Sequence, residues 1–183
     1  MSKKVKGRSA GQANEEMHLP YVAPTRVTAV VVALENYRRG ELPAVAYAHA
    51  DADAFAAALR QIYPADILHL DVIKDGDATL TALQDLSYIL KNLEENELFI
   101  FYYAGHGFHG AGQNRLSVFD TNRVNVADTT LSLQGDLLEH IEGSQCRQAL
   151  IFVDACAEKF AAVVESRDVI SSLVPACRTV LGQ

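Results

Sequence analysis

The feature that most constrains the fold is an alternation of short apolar runs with segments of helical periodicity. Thr25–Leu34 and Leu98–Ala104 are apolar on both faces, and Ile67–Ile73 and Ala149–Val153 are two further strand-like runs. All are far shorter than the roughly 18 apolar residues of a membrane span. Short β-branched and aromatic runs without a polar face read as parallel strands covered by helices on both sides. Between them, the Ala-rich stretch within Val45–Tyr63 predicts a helix with Phe55, Leu59 and Ile62 on one face. Asp75-Gly76 then reads as a turn. Asp77 is placed to cap a long helix whose stripe is Leu80, Ala82, Leu83, Leu86, Ile89, Leu90 and Leu93. Leu133–Ile141 supplies another amphipathic segment before the fourth strand. A β-α-β-α order of this kind predicts an α/β/α sandwich with a mainly parallel sheet.

Composition fits that reading. Hydrophobic residues are 49% and charged residues 21% of 183, which excludes collagen-like and disordered classes and suits one core. Residues 1–24 are polar, end in Pro20 and Pro24, and are expected to form a flexible arm before a single domain over 25–183. The arm's positive residues have no apolar segment behind them, so no signal peptide is expected and the cytoplasm is the expected location. Cys146, Cys156 and Cys177 are an odd number without CxxC spacing, so thiols are expected rather than disulfides or a zinc ribbon. The net charge is −7, and Lys3, Lys4, Lys6 and Arg8 all sit in the arm. The body is therefore strongly acidic and repels a phosphate backbone, so no nucleic-acid partner is expected.

Ligands and reactive groups of open α/β sheets gather beyond the carboxyl ends of the strands. The third strand runs into Tyr102-Tyr103-Ala104-Gly105-His106-Gly107 and the fourth into Val153-Asp154-Ala155-Cys156-Ala157. One end presents an imidazole and the other a thiol. A free thiol is only a few per cent thiolate at neutral pH, and an imidazole that accepts its proton turns it into a competent nucleophile. Competing readings are weaker. Gly105-x-Gly107-x-x-Gly110 has the spacing of a dinucleotide loop, but that motif must open a helix, and the following AGQNRLSVFD is a poor one. His106 and His109 lack a third metal ligand at recognisable spacing, and His109 is read as structural. Residues 107–130 form an unusually long connection with one strand candidate, Leu116–Phe119, and such insertions often carry function.

The motifs YYAGHG, DAC after an apolar strand and DADAFAAAL in the first helix resemble the caspase-like cysteine peptidases: the caspases, metacaspases and bacterial relatives. The 50-residue separation of His106 and Cys156 fits the arrangement of caspases. The resemblance, over roughly residues 25–165, implies a caspase-like three-layer sandwich with Cys156 as nucleophile and His106 as general acid/base. It implies the amides of Gly107 and Cys156 as oxyanion donors, with a side chain at 107 crowding the attacked carbonyl. By likeness to metacaspases, Asp51 and Asp154 are expected to line a partly buried pocket for Arg or Lys and to repel acidic side chains. No cofactor is expected, although calcium-dependent metacaspases raise a cation site at Asp120, Asp128 and Asp136; their spacing is not that of a loop-type calcium motif.

Ala50 and Ala157 depart from the family pattern. Relatives also continue past the nucleophile, so this sequence is expected to be a large-subunit-like portion. Its fourth strand would form an edge covered by a small subunit, a C-terminal remainder or a regulatory partner. The implied activity is a controlled cytoplasmic endopeptidase acting on protein or peptide substrates, in regulated cell death or antiviral defence. The alternative is a catalytically silent caspase-like interaction module.

Overall fold

The computed structural model describes residues 23–110 and 112–157, and for Cys156 and Ala157 the backbone alone. Most of the expected arm, Cys177 and everything after Ala157 lie outside the described residues. Strands β1 (Arg26–Ala33), β2 (Leu68–Lys74), β3 (Glu97–Gly110) and β6 (Gln148–Ala157) form the parallel part of one sheet in the order β2-β1-β3-β6. Two short antiparallel strands, β4 (Gln113–Leu116) and β5 (Leu131–Ser132), extend it from the far end of β3. Gly107 pairs with Ala157 of β6 and also with Leu116 of β4. The two partners must lie on opposite sides of β3, so β4 takes over the side that β1 leaves at Ala104.

Helices cover both faces. α1 (Ala48–Ile62) lies on one, where Val31, Ala33, Tyr102 and Ala104 pack with Ala48 and Ala52. The other face carries Val30, Val32, Phe99, Phe101 and Tyr103 against Leu83, Leu86, Leu90 and Leu137. Those leucines come from α2 (Leu80–Gln84), α3 (Leu86–Lys91) and a six-residue π-helical segment, Leu133–Leu138, that runs into α4 (Glu139–Glu142).

Several elements differ from the sequence reading for identifiable reasons. The buried stripe of α1 is Ala48, Ala52, Ala56 and Leu59, while Ile62 is 65% exposed. Small alanines let the helix lie close to the sheet, and its last turn then runs beyond the covered surface. The predicted long helix is broken in two at Asp85. Its cap is Thr79, whose hydroxyl accepts from Ala82 N at 3.3 Å, rather than Asp77, which lies in a 3₁₀ turn over Asp75–Asp77. Leu80 N donates to Asp120 at 2.9 Å. The strand candidate Leu116–Phe119 contributes only its first residue to β4.

Candidate active site

β1 ends at Ala33 and its partner β2 at Lys74, but β3 and β6 continue beyond them in mutual register through Gly107 and Ala157. His106 and Cys156 lie in this overhang, inside strands rather than on loops after them, and are direct register partners. Neighbouring strands run about 4.8 Å apart. The sheet thus brings the backbones of the two residues side by side at its rim.

His106 is held from several directions. Its ring is buried, stacks on Tyr37 with centroids 5.3 Å apart, and has Nε2 2.9 Å from the carbonyl oxygen of Pro43. A carbonyl can only accept, so Nε2 is the protonated nitrogen and Nδ1 carries the lone pair of the neutral ring. The backbone is fixed as well. His106 N donates to the Tyr37 hydroxyl at 3.0 Å, and its carbonyl accepts from Ser117 Oγ at 2.7 Å and Ser117 N at 2.9 Å. The Tyr103 hydroxyl lies 2.8 Å from both the His106 and Ser117 carbonyls. Burial pushes the Tyr37 phenol above its ordinary range, and does so more strongly at the fully buried Tyr103, so both stay protonated.

Because His106 bonds toward Tyr37 and Ser117, strand alternation turns Gly107 N–H to the opposite side, that of β6. A Cβ at Gly107 would stand 2.9 Å from the Ala155 Cβ. The neighbouring strand therefore already requires glycine there. Gly105 is more constrained still, since a Cβ would meet the Tyr103 hydroxyl at 2.6 Å and the Tyr37 hydroxyl at 3.0 Å.

Asp51 and Asp154 are also brought toward one another. Tyr102 packs on Phe55 of α1 with centroids 4.6 Å apart, and Phe55 meets Phe152 of β6 edge-on at 5.3 Å. Asp51 is one helical turn before Phe55, and Asp154 is the next same-face position after Phe152. Both carboxylates bear on the Tyr102 phenol, whose pKa is raised first by burial and then by the charges of Asp154 and Asp51. They are exposed above an aromatic floor, not partly buried as expected, because no described residue covers this rim.

Other sequence candidates are used elsewhere. His109 Nδ1 lies 3.1 Å from Asn114 Oδ1 across the β3–β4 hairpin, and Gly105–Gly110 is strand throughout, so no helix follows the glycine pattern. Asp120 accepts from Leu80 N, Asp136 accepts from Ser132 N, and no cluster of three potential metal ligands occurs among the described residues. Cys146 Sγ lies 3.1 Å from the Gln148 carbonyl at the opposite end of β6. A groove of about 600 Å³ lined by Thr25, Lys91 and Gln145 also sits at that end of the strands, away from the reactive pair. Sequence reasoning missed Tyr37, Pro43 and Ser117. Pro43 acts through a backbone carbonyl, which leaves no side-chain signature, and the other two are ordinary core hydroxyls until the strands are paired.

A family model for the caspase domain, Peptidase_C14, matches residues 26–174. The crystal structure of protein GSU0716 from Geobacter sulfurreducens resembles this fold with a TM-score of 0.57 at 18% identity, over 72% of this chain and 50% of that one. At such identity the likeness concerns the fold alone, and the chain spans half the length of that relative. No curated protein sequence matches it.

Proposed function

The chain belongs to the caspase family, and from that membership and the rim geometry we propose a cysteine endopeptidase with Cys156 as nucleophile and His106 as general acid/base. The observation that carries the reading is the register pairing of these two residues, with Nε2 of His106 held by Pro43. His106 Nδ1 takes the thiol proton, and the thiolate attacks the substrate carbonyl carbon. By likeness to the family the amides of Gly107 and Cys156 receive the resulting oxyanion, which requires them to leave the β3–β6 ladder that their register places them in. Collapse breaks the C–N bond as His106 returns the proton to the leaving amine. Water, deprotonated by the same imidazole, then hydrolyses the thioester and frees the carboxylic acid and the thiol.

Asp51 and Asp154, converging electrostatically on Tyr102, support cleavage after Arg or Lys through charge-assisted hydrogen bonds to a cation. Among the described residues β6 pairs only with β3. Its outer edge suits a small subunit, a C-terminal remainder or a regulatory partner. Among the described residues no helix is long and apolar enough to cross a membrane. From the family likeness alone, cytoplasmic control of cell death or antiviral defence is the setting we favour.

The test uses peptides with Arg, Lys or Asp before the scissile bond, with and without calcium. Cleavage after Arg or Lys that disappears in both Cys156→Ala and His106→Ala is expected. Cleavage after Asp would keep the pair and overturn the cation pocket, and hydrolysis that survives Cys156→Ala would sink the mechanism. No cleavage under any condition, from a folded protein, would favour the silent interaction module.

A further inference from the structure

The stacking partner and the Nε2 partner of the His106 ring come from the connection between β1 and α1, residues 34–47, which supplies both Tyr37 and Pro43. The connection contains one 3₁₀ turn, Arg38–Gly40, and is otherwise held by single contacts, among them Arg38 N donating to the Phe119 carbonyl at 2.8 Å and Val45 N to the Glu35 carbonyl at 3.0 Å. Asp75, at the end of β2, ties down both of its ends. Asp75 Oδ1 accepts from Glu35 N at 2.8 Å and Asn36 N at 3.1 Å, and Oδ2 accepts from Asn36 Nδ2 at 3.0 Å. At the other end, His49 in the first turn of α1 places Nε2 3.0 Å from Asp75 Oδ1. Glu35 completes the clamp, accepting from His49 N at 3.0 Å and facing its Nδ1 at 3.6 Å.

Asp75 adopts this position at a φ of 40°, in the left-handed region that costs a non-glycine residue conformational energy. Its carboxylate meets the start of the connection and the helix after it together, alongside the direct contact of Glu35 with His49. We propose that Asp75 is a positioning residue for His106, acting through the β1–α1 connection that it clamps. It makes no contact with His106. Loss of its charge loosens the connection, so that Pro43 O no longer holds Nε2–H and the lone pair of the ring is no longer confined to Nδ1. Burial works to raise the Asp75 pKa, but the hydrogen bonds from Asn36, Glu35 and His49 outweigh it and hold the carboxylate below its usual range. The Asp75 carboxylate is therefore charged throughout the neutral range.

The inference rests on the peptidase reading for its kinetic readout alone. Asp75→Asn preserves size and tolerates the left-handed backbone, so it separates charge from folding. In the full chain we expect kcat to fall about ten- to a hundredfold, the scale of a misplaced catalytic group, with KM little changed. A second readout needs no substrate: ¹⁵N-edited spectra of the histidine rings should show His106 as the Nε2–H tautomer in the parent chain and a mixed tautomer in Asp75→Asn. Asp53→Asn is the control, because it breaks the neighbouring ion pair with Lys74 Nζ (2.7 Å) without touching the connection, and should alter neither readout. An unchanged tautomer in Asp75→Asn, or the same change in Asp53→Asn, overturns the proposal. If the parent chain hydrolyses no peptide, the peptidase reading fails while the tautomer still decides the role of Asp75.

Discussion

At the scale of single residues, the imidazole and thiol were legible because reactive side chains at strand ends are conspicuous, whereas their supports were not. Tyr37, Tyr103 and Ser117 form a buried hydroxyl group around the His106 backbone, and in sequence they are indistinguishable from core and turn residues. The YYAGHG motif gains a packing explanation from them. Gly105 is required because the Tyr103 hydroxyl occupies the space a side chain would need, and that hydroxyl is pinned between two carbonyls. Gly105→Ala should therefore destabilise the protein by about 1–3 kcal/mol, the usual range for overpacking a dense core. In a chain of this size that lowers Tm by about 2–4 °C per kcal/mol. The penalty should shrink in a Tyr103→Phe background, which removes the nearest obstructing atom. Equal penalties in both backgrounds, by urea denaturation, would show that the clash is not the cause.

At the scale of elements, the four parallel strands were readable from their apolar runs, but their lengths were not. β3 and β6 each outrun the apolar segment that announces them, since Gly105–Gly110 is glycine and histidine apart from Phe108, and Asp154–Ala157 is small or polar, so neither carries a strand signal. They remain strands because each pairs with the other, a long-range effect that local pattern cannot register. The same limit explains the misplaced cap of α2. Thr79 caps it locally, but a second donor, Leu80 N, is satisfied by Asp120 from 40 residues away. Removing either acceptor leaves a helix-terminal N–H to water. Thr79→Ala and Asp120→Ala should each cost about 1 kcal/mol, the typical worth of an N-cap. The double variant should cost about their sum if the two donors are satisfied independently. Denaturant midpoints measure all three, and a neutral Asp120→Ala would return that residue to the list of candidates for cation binding.

At the scale of the molecule, the layered α/β/α plan followed from alternation alone, while the arrangement of charge and hydroxyls between the layers became visible only with the chain folded. That arrangement sets how stability depends on pH. The carboxylate of Asp75 is held below its usual range, so its contribution is present above the unfolded value near 3.9 and is lost as pH falls through the lower folded value. The tyrosines act at the other limit. Burial raises Tyr37 and Tyr103 above the ordinary value of 10, so the folded chain holds their protons after an unfolded chain has released them. Their contribution is complete below pH 10 and is lost as pH rises through the folded values. Urea midpoints measured across pH should therefore form a plateau that falls away below about 4 and above about 10. Asp75→Asn should flatten the acid limb and leave the alkaline one in place, and Tyr103→Phe should do the reverse. A Tyr103→Phe chain whose alkaline limb is as steep as the parent's would mean that the buried phenol does not govern that side of the curve.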